Sequence, residues 1–194
     1  MNDLEKQKKH FKDHVAAFTD YGNIKILDFQ KPGSSHYRIR FLFEEDFYRL
    51  HISGDLGELI ACNYNNMCYE KFREFVHNVY YFEEKICCHN RPIYEYDYEK
   101  AKEDLRRVFK EQEIKVEPYS WETEEEALEE KIEDILDDLD NRNGLGSCAY
   151  EALHELDDCC WEWMDSIGKE RTGILELYML AFEMAQEQLS KGSE

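Results

Sequence analysis

The sequence has no apolar run near the roughly 20 residues that a membrane-spanning helix requires. Its opening stretch, MNDLEKQKKHFKDH, is charged and includes no apolar signal segment. Fixed catalytic signatures are also missing: there is no Walker loop, nucleophile elbow, H-E-x-x-H or dinucleotide-binding fingerprint. We therefore expect an intracellular, cytoplasmic protein without a membrane partner, and no motif identifies it as an enzyme.

Cysteine usage argues against two more classes of protein. The seven cysteines are an odd number and include the adjacent pairs Cys87-Cys88 and Cys159-Cys160. Such spacing suits neither a small secreted disulfide framework nor a zinc module. A zinc site would have to use residues without C-x-x-C spacing, namely Cys62, Cys68, Cys87, Cys88 and His89.

One helical stretch has the spacing of a carboxylate-bridged metal site. It contains Glu151-x-x-His154, followed a turn later by Asp157 and Asp158. Such sites need a second Glu-x-x-His from a helix that packs beside the first. We expect neither a metal nor another cofactor, and a solvated helix face explains these residues.

The strongest structural signal is a strand pattern between His36 and Tyr64. Apolar and polar side chains alternate, which is typical of half-buried strands. The acidic run at 44–46 and the glycines at 54 and 57 mark the reversals. The pattern predicts an antiparallel meander of three to four strands at 23–29, 36–43, 47–52 and 58–63.

Helical spacing accounts for most of the rest of the chain. Asp97 is a predicted N-cap, Thr123-x-x-Glu126 is a capping box, and residues 80–88 fit either a helix or a strand. The predicted helices are 2–20, 69–79, 97–112, 123–140, 149–167 and 172–189. Pro118 stops any continuing helix, and the charge changes there. We therefore predict an α+β protein with an N-terminal helix, the meander with packed helices in a domain at 1–117, and an acidic three-helix module at 120–194.

The net charge of −20 is concentrated in one stretch. Residues 120–165 hold 17 acidic residues and two basic ones, whereas residues 1–119 have a net charge of only −3. Like charges at helical i,i+4 spacing repel one another, so the concentration of acids in the predicted helix 123–140 needs an explanation. It serves either solubility or the binding of a strongly basic partner. The predicted partner-binding residues are Glu125, Glu126, Glu129, Glu130, Glu133, Asp134, Asp137 and Asp138. Carboxylate rows mimic phosphates, and this module is not expected to bind DNA directly.

The polar side of the predicted sheet offers a second surface. Side chains on neighbouring strands lie close enough together to form one patch of positive charge. This patch predicts contacts with phosphate or another anion, made by Arg38, Arg40 and Arg49. Alternatively, these arginines pair with Glu44, Glu45 or Glu58. His51 and Asp55 are the catalytic candidates if the protein is an enzyme, with His77 and His89 as further acid–base residues.

Part of the chain resembles a known kind of protein. The run FLFEEDFYRLHISGDLGELIACNYNNMCYEKFREFV, continuing to CCHNRPIYEYDYEKA, is similar to small proteins of phages and mobile elements in Gram-positive bacteria. Some proteins of that kind are anti-CRISPR inhibitors. The resemblance spans about residues 20–110 and implies an inhibitor of a bacterial defence nuclease, such as a type II CRISPR effector, in the host cytoplasm. It assigns no catalytic residue.

These observations lead to three functional hypotheses. The first is a non-enzymatic inhibitor that binds a basic nucleic-acid-binding protein through its acidic helices. The second is a nucleic-acid-processing enzyme that cuts guide RNA with the sheet face. The third is an interaction module that forms a homodimer through its helices.

Overall fold

The structure, a computed structural model, describes residues 3–191. The helices are α1 (Asp3–Lys8), α2 (Arg73–Val76), α3 (Val79–Glu83), α4 (Tyr98–Glu111), α5 (Glu124–Leu136), α6 (Ser147–His154) and α7 (Ile174–Lys191). The strands are β1 (Val15–Asp20), β2 (Ile24–Gln30), β3 (Ile39–Glu44), β4 (Arg49–Gly54), β5 (Leu59–Cys62), β6 (Ile86–His89), β7 (Tyr94–Tyr96), β8 (Leu139–Asp140), β9 (Gly144–Leu145) and β10 (Lys169–Arg171). The predicted α+β class is confirmed.

The chain divides into two units. Residues 1–91 and 173–194 form the first, which we call the sheet unit. Residues 92–172 form the second, which we call the acidic unit. The predicted boundary at 117–120 differs from this division, because α4 belongs with the acidic helices and α7 belongs with the sheet.

The sheet unit is built on an antiparallel sheet of six strands in the order β1-β2-β3-β4-β5-β6. Alternation buries Ile39, Phe41 and Phe43 on β3, together with Leu50 and Ile52 on β4. The four predicted strands are confirmed, with ends that differ by one to three residues. The prediction of three to four strands was too low, since β1 and β6 extend the sheet at both edges.

Phenylalanine side chains form the core beneath this sheet. Phe182 of α7 is fully buried, and its ring centroid lies 4.7 Å from that of Phe72 and 5.3 Å from that of Phe41. Phe75 and Phe82 of the short helices α2 and α3 are also fully buried. The last helix therefore packs on the sheet, and the predicted three-helix module is wrong in this respect.

Two local predictions in the sheet unit need correction. The helix predicted at 2–20 is much shorter in the structure, where α1 is followed by a 3-10 turn at Lys9–Phe11. Val15–Asp20 is instead a strand, in which Val15 pairs with Gln30 of β2. Pairing with β2 satisfies the backbone of this segment and overrides its helical spacing. Residue 2 of that prediction lies outside the described residues, as do 192–194. The ambiguous stretch 80–88 contains both α3 and β6.

The acidic unit packs α4, α5 and α6 around its own apolar cluster. Leu105, Ile132, Ile135 and Leu153 are completely buried there. The predicted caps are confirmed: the Asp97 carboxylate accepts a hydrogen bond from Lys100 N, and Thr123 begins α5 with a capping box. Strands β7 and β10 pair with each other, as do β8 and β9.

The helix predicted at 149–167 ends much earlier, at His154. Two 3-10 turns follow, at Cys160–Glu162 and Met164–Ser166. Asp157 accepts hydrogen bonds from Cys159 N and from the Trp163 indole N–H, each at 2.9 Å. Aspartate that bonds nearby donors in this way competes with continued helix formation.

Candidate functional surfaces

On the polar face of the sheet, Arg40 is already occupied by a carboxylate. Its Nε lies 2.7 Å from Asp28 Oδ1, and its Nη2 lies 2.9 Å from Asp28 Oδ2. Register explains the contact, because Asp28 on β2 is directly opposite Arg40 on β3. The bidentate pair raises the pKa of Arg40. A phosphate would therefore have to displace Asp28 to reach this guanidinium.

Arg49 and His51 share a second carboxylate. Glu44 Oε2 lies 3.1 Å from His51 Nε2 and 3.6 Å from Arg49 Nη1. Glu44 pairs directly with Arg49 across the β3–β4 hairpin. The predicted alternative, in which the arginines pair with nearby acids, therefore holds for Arg49, while Asp28 is the partner of Arg40.

Arg38 is the remaining predicted anion contact. It is exposed and forms no ion pair with any residue in the described part of the chain. It lines a polar recess of about 320 Å³ with Arg40, Ser53 and Glu58. One unpaired arginine beside two carboxylates, Asp28 and Glu58, leaves this recess without a net positive charge.

The catalytic candidates do not form one site. Asp55 lies beyond the end of β4 and accepts a hydrogen bond from Tyr37 N at 2.9 Å. His51 lies three residues before the end of that strand, which separates the two by about 10 Å or more. His89 Nδ1 lies 2.7 Å from Arg91 O, and His77 is at the C-terminus of α2. The partner of His51 is Glu44, which could have been found only from the hairpin register.

Within residues 3–191, the side chains of Cys62, Cys87, Cys88 and His89 belong to no cluster of three metal-ligating groups. Among the described residues, one group of three metal-ligating side chains has its ligand atoms within 4.8 Å: Glu45, Cys68 and Glu70. Lys25 Nζ lies 3.2 Å from Glu45 Oε2 and also contacts the Glu70 carboxylate, which raises the pKa of Lys25. An ammonium group already balances this acidic pair.

The acidic unit has most of the charge of the protein. It contains 26 acidic and 10 basic residues, so its net charge is −16 out of −20. Half of the predicted partner-binding acids have structural roles within this unit. Glu126 completes the capping box, and Asp138 accepts hydrogen bonds from Cys148 N and Ala149 N at the start of α6. The other two are Glu129 and Glu133 on α5, which form ion pairs with α4.

Those ion pairs join α4 to α5. Lys102 Nζ lies 2.8 Å from Glu133 Oε1, and Arg106 Nε lies 2.6 Å from Glu129 Oε1. The guanidinium lowers the pKa of Glu129. This side of the acidic helix is therefore neutralised, which the helical spacing within 123–140 did not reveal.

The remaining predicted acids are exposed: Glu125, Glu130, Asp134 and Asp137. They form no ion pair with any residue of the described range 3–191. Glu130, Asp134 and Asp137 follow the i, i+4, i+7 spacing of one helix face, and we call them the acid row. Nearby carboxylates, chiefly that of Glu122, raise the pKa of Glu130. The acid row is an unneutralised negative stripe.

Sequence reasoning overlooked two aromatic side chains beside this stripe. Tyr119 and Trp121 lie just before α5, and they are 66% and 77% exposed. Their rings stack with centroids 5.3 Å apart. The signal was present in the run Tyr119-Ser120-Trp121, which has no apolar periodicity that would bury it.

Comparisons with other proteins add no assignment. Within the described residues, no helix is both long and apolar enough to cross a membrane. No protein-family model matches the chain, no curated protein matches it, and no solved structure matches it.

Proposed function

We propose that this protein is a stoichiometric inhibitor that binds a strongly basic, nucleic-acid-binding protein through the acidic unit. The observation that carries the proposal is the acid row, which stays unneutralised in a unit with a net charge of −16. Glu129 and Glu133 join α5 to α4 through ion pairs, whereas the acid row has no basic partner among residues 3–191. Complementary charge accelerates association and selects partners.

The sheet face supports catalysis less well. Arg40 and Arg49 are paired with Asp28 and Glu44, so they are not preorganised for phosphate. A general base also needs a partner that orients it beside an open substrate position. His51 has Glu44 as a partner, but the structure brings no second catalytic candidate to it.

The resemblance to anti-CRISPR proteins suggests which partner to test first. RNA-guided nucleases hold their heteroduplex in a positively charged channel. An exposed row of carboxylates is complementary to such a channel and can occupy the place of phosphates. A guide-loaded type II CRISPR effector is therefore the proposed target, and phage or mobile-element origin is part of this proposal.

The test titrates purified protein into the guide-loaded effector and measures complex formation and guide-RNA integrity in the same sample. Binding should saturate near one equivalent, leave the RNA intact and weaken as salt rises, because screening acts over about 8–10 Å. The variant Glu130→Gln/Asp134→Asn/Asp137→Asn should reduce affinity at least about tenfold.

A matched control removes the same charge from the sheet unit: Asp46→Asn/Glu58→Gln/Glu84→Gln. All three side chains are exposed, and the one ion pair that is lost, between Glu84 and Lys85, is a surface pair that contributes little stability. This variant should therefore fold and bind like the unmodified protein. Equal affinity of the acid-row variant and the control would exclude the acid row as the binding surface. Guide RNA cut at a small fraction of an equivalent, with the cutting lost in His51→Ala, would instead establish an enzyme.

A further inference from the structure

The stacked rings of Tyr119 and Trp121, which we call the aromatic pair, lie outside the core of their unit. The two planes differ by 6°, and most of each side chain is exposed. Neither residue is part of the buried cluster of the acidic unit or of the side chains that pack around it. Single exposed aromatic side chains are common, but two that stack into one exposed patch with a charged rim are typical of a binding surface.

A hydrogen-bonded turn holds the aromatic pair in place. Glu122 N donates to Tyr119 O at 3.0 Å, and Tyr119 N donates to Glu122 Oε2 at 3.2 Å. The capping box of Thr123 follows at once and anchors the turn to α5. The two rings are therefore presented on an ordered support, which reduces the entropy lost when a partner binds.

The surroundings of the pair combine negative charge with apolar surface. The Glu122 carboxylate that closes the turn also acts on Glu130, so the pair continues into the acid row. The segment just before the turn forms a recess of about 330 Å³ with the start of α5. The recess is lined by Ile114, Lys115, Val116, Glu117, Pro118, Glu124 and Leu128.

We propose that this surface binds an arginine-rich segment of the basic partner, with a guanidinium stacked on Trp121. The inference rests on the proposed function and deepens it. The apolar part of the recess suits the methylene stem of a long basic side chain. Glu117 and Glu124 attract its charge, and these two carboxylates outnumber the one ammonium group of the lining, that of Lys115. Arginine is favoured over lysine because its planar, weakly hydrated guanidinium stacks on aromatic faces.

A single-stranded nucleic acid is the competing occupant, because bases also stack on exposed aromatic rings. Its phosphates would meet the net charge of −16 of the acidic unit. Phosphate contacts supply most of the affinity of such complexes, so repulsion here opposes binding. The charge of the surface therefore selects the basic peptide.

The test uses the full chain and calorimetry at low salt with three probes: nona-arginine, nona-lysine and a single-stranded oligothymidine. Nona-arginine should bind several-fold more tightly than nona-lysine, and the oligonucleotide should not bind. Trp121→Ala should weaken nona-arginine binding about 5- to 30-fold and remove the preference for arginine. The matched control is Trp161→Ala, which removes another exposed tryptophan of the same unit and should bind normally.

Each other outcome has a definite meaning. Unchanged nona-arginine binding in Trp121→Ala, or an equal loss in Trp161→Ala, overturns the role of the aromatic pair. If the acid-row variant still loses binding in that case, the proposed function survives and only this inference fails. Tighter binding of oligothymidine than of nona-arginine overturns both.

Discussion

Replacing Phe182 with alanine tests the assignment of the last helix to the sheet. Its ring is fully buried and lies within 6.2 Å, between centroids, of Phe41, Phe43 and Phe72. Truncating a buried phenylalanine to alanine costs about 3–5 kcal/mol through lost burial and the cavity that remains. We expect Phe182→Ala to lower the free energy of unfolding of the sheet unit by that amount.

The expected shift in melting temperature follows from the size of the unit. Unfolding entropy is about 2.1 cal/mol/K per residue, which gives roughly 240 cal/mol/K for the 113 residues of the sheet unit. A loss of 3–5 kcal/mol then corresponds to about 13–21 °C. The sheet signal in far-ultraviolet circular dichroism measures this shift, and Glu183→Ala on the same helix is the control.

Tryptophan fluorescence provides an independent readout of the other unit. All three tryptophans lie between residues 92 and 172. If α7 instead formed a bundle with α5 and α6, Phe182→Ala would act mainly on the fluorescence transition. A sheet transition that moves by less than about 4 °C, which corresponds to roughly 1 kcal/mol, would refute the packing described above.

Three further predictions follow from the contacts. Asp138→Ala should destabilise the acidic unit by about 0.5–2 kcal/mol because it uncaps α6, whereas Asp137→Ala should leave the fluorescence melting temperature unchanged. Hydrogen bonds lower the pKa of Glu126 and of Glu129, so these carboxylates bind protons less readily in the folded protein than in the unfolded chain. The stability that they contribute is therefore present above their ordinary pKa of 4.5 and is lost as the pH falls below it. A melting temperature that increases when the pH is lowered from about 5 to about 3 would contradict this sign. His51→Ala should leave stoichiometric inhibition of the effector unchanged. A loss of inhibition with an intact fold would show that the polar face of the sheet takes part in it.

Local sequence patterns were enough for the elements whose cause is local. Alternating side chains predicted β2 to β5, because a sheet with one covered face buries every second residue. The caps at Asp97 and Thr123 were also predicted, because a cap depends on a side chain and backbone groups within three residues. The concentration of acids after Pro118 was likewise visible as a composition.

Segments with weaker patterns depended on their tertiary partners. Val15–Asp20 has helical spacing but becomes the edge strand β1, because β2 supplies a backbone to pair with. The apolar stripe of α7 would fit any apolar face, and the spacing of Tyr178 and Phe182 does not say which one. The structure places α7 on the sheet, where the phenylalanine side chains fill its core.

The charged surfaces show the same limit most clearly. From the sequence alone, Glu129 and Glu130 are equivalent members of one acidic helix, and Arg40 is an available anion contact. Only the fold brings Arg106 to Glu129 and Asp28 to Arg40, while it leaves Glu130 without a basic partner among the described residues. Composition therefore determined how much negative charge the protein has. Tertiary structure decided which of it is neutralised, because an ion pair depends on distances between elements far apart in the chain.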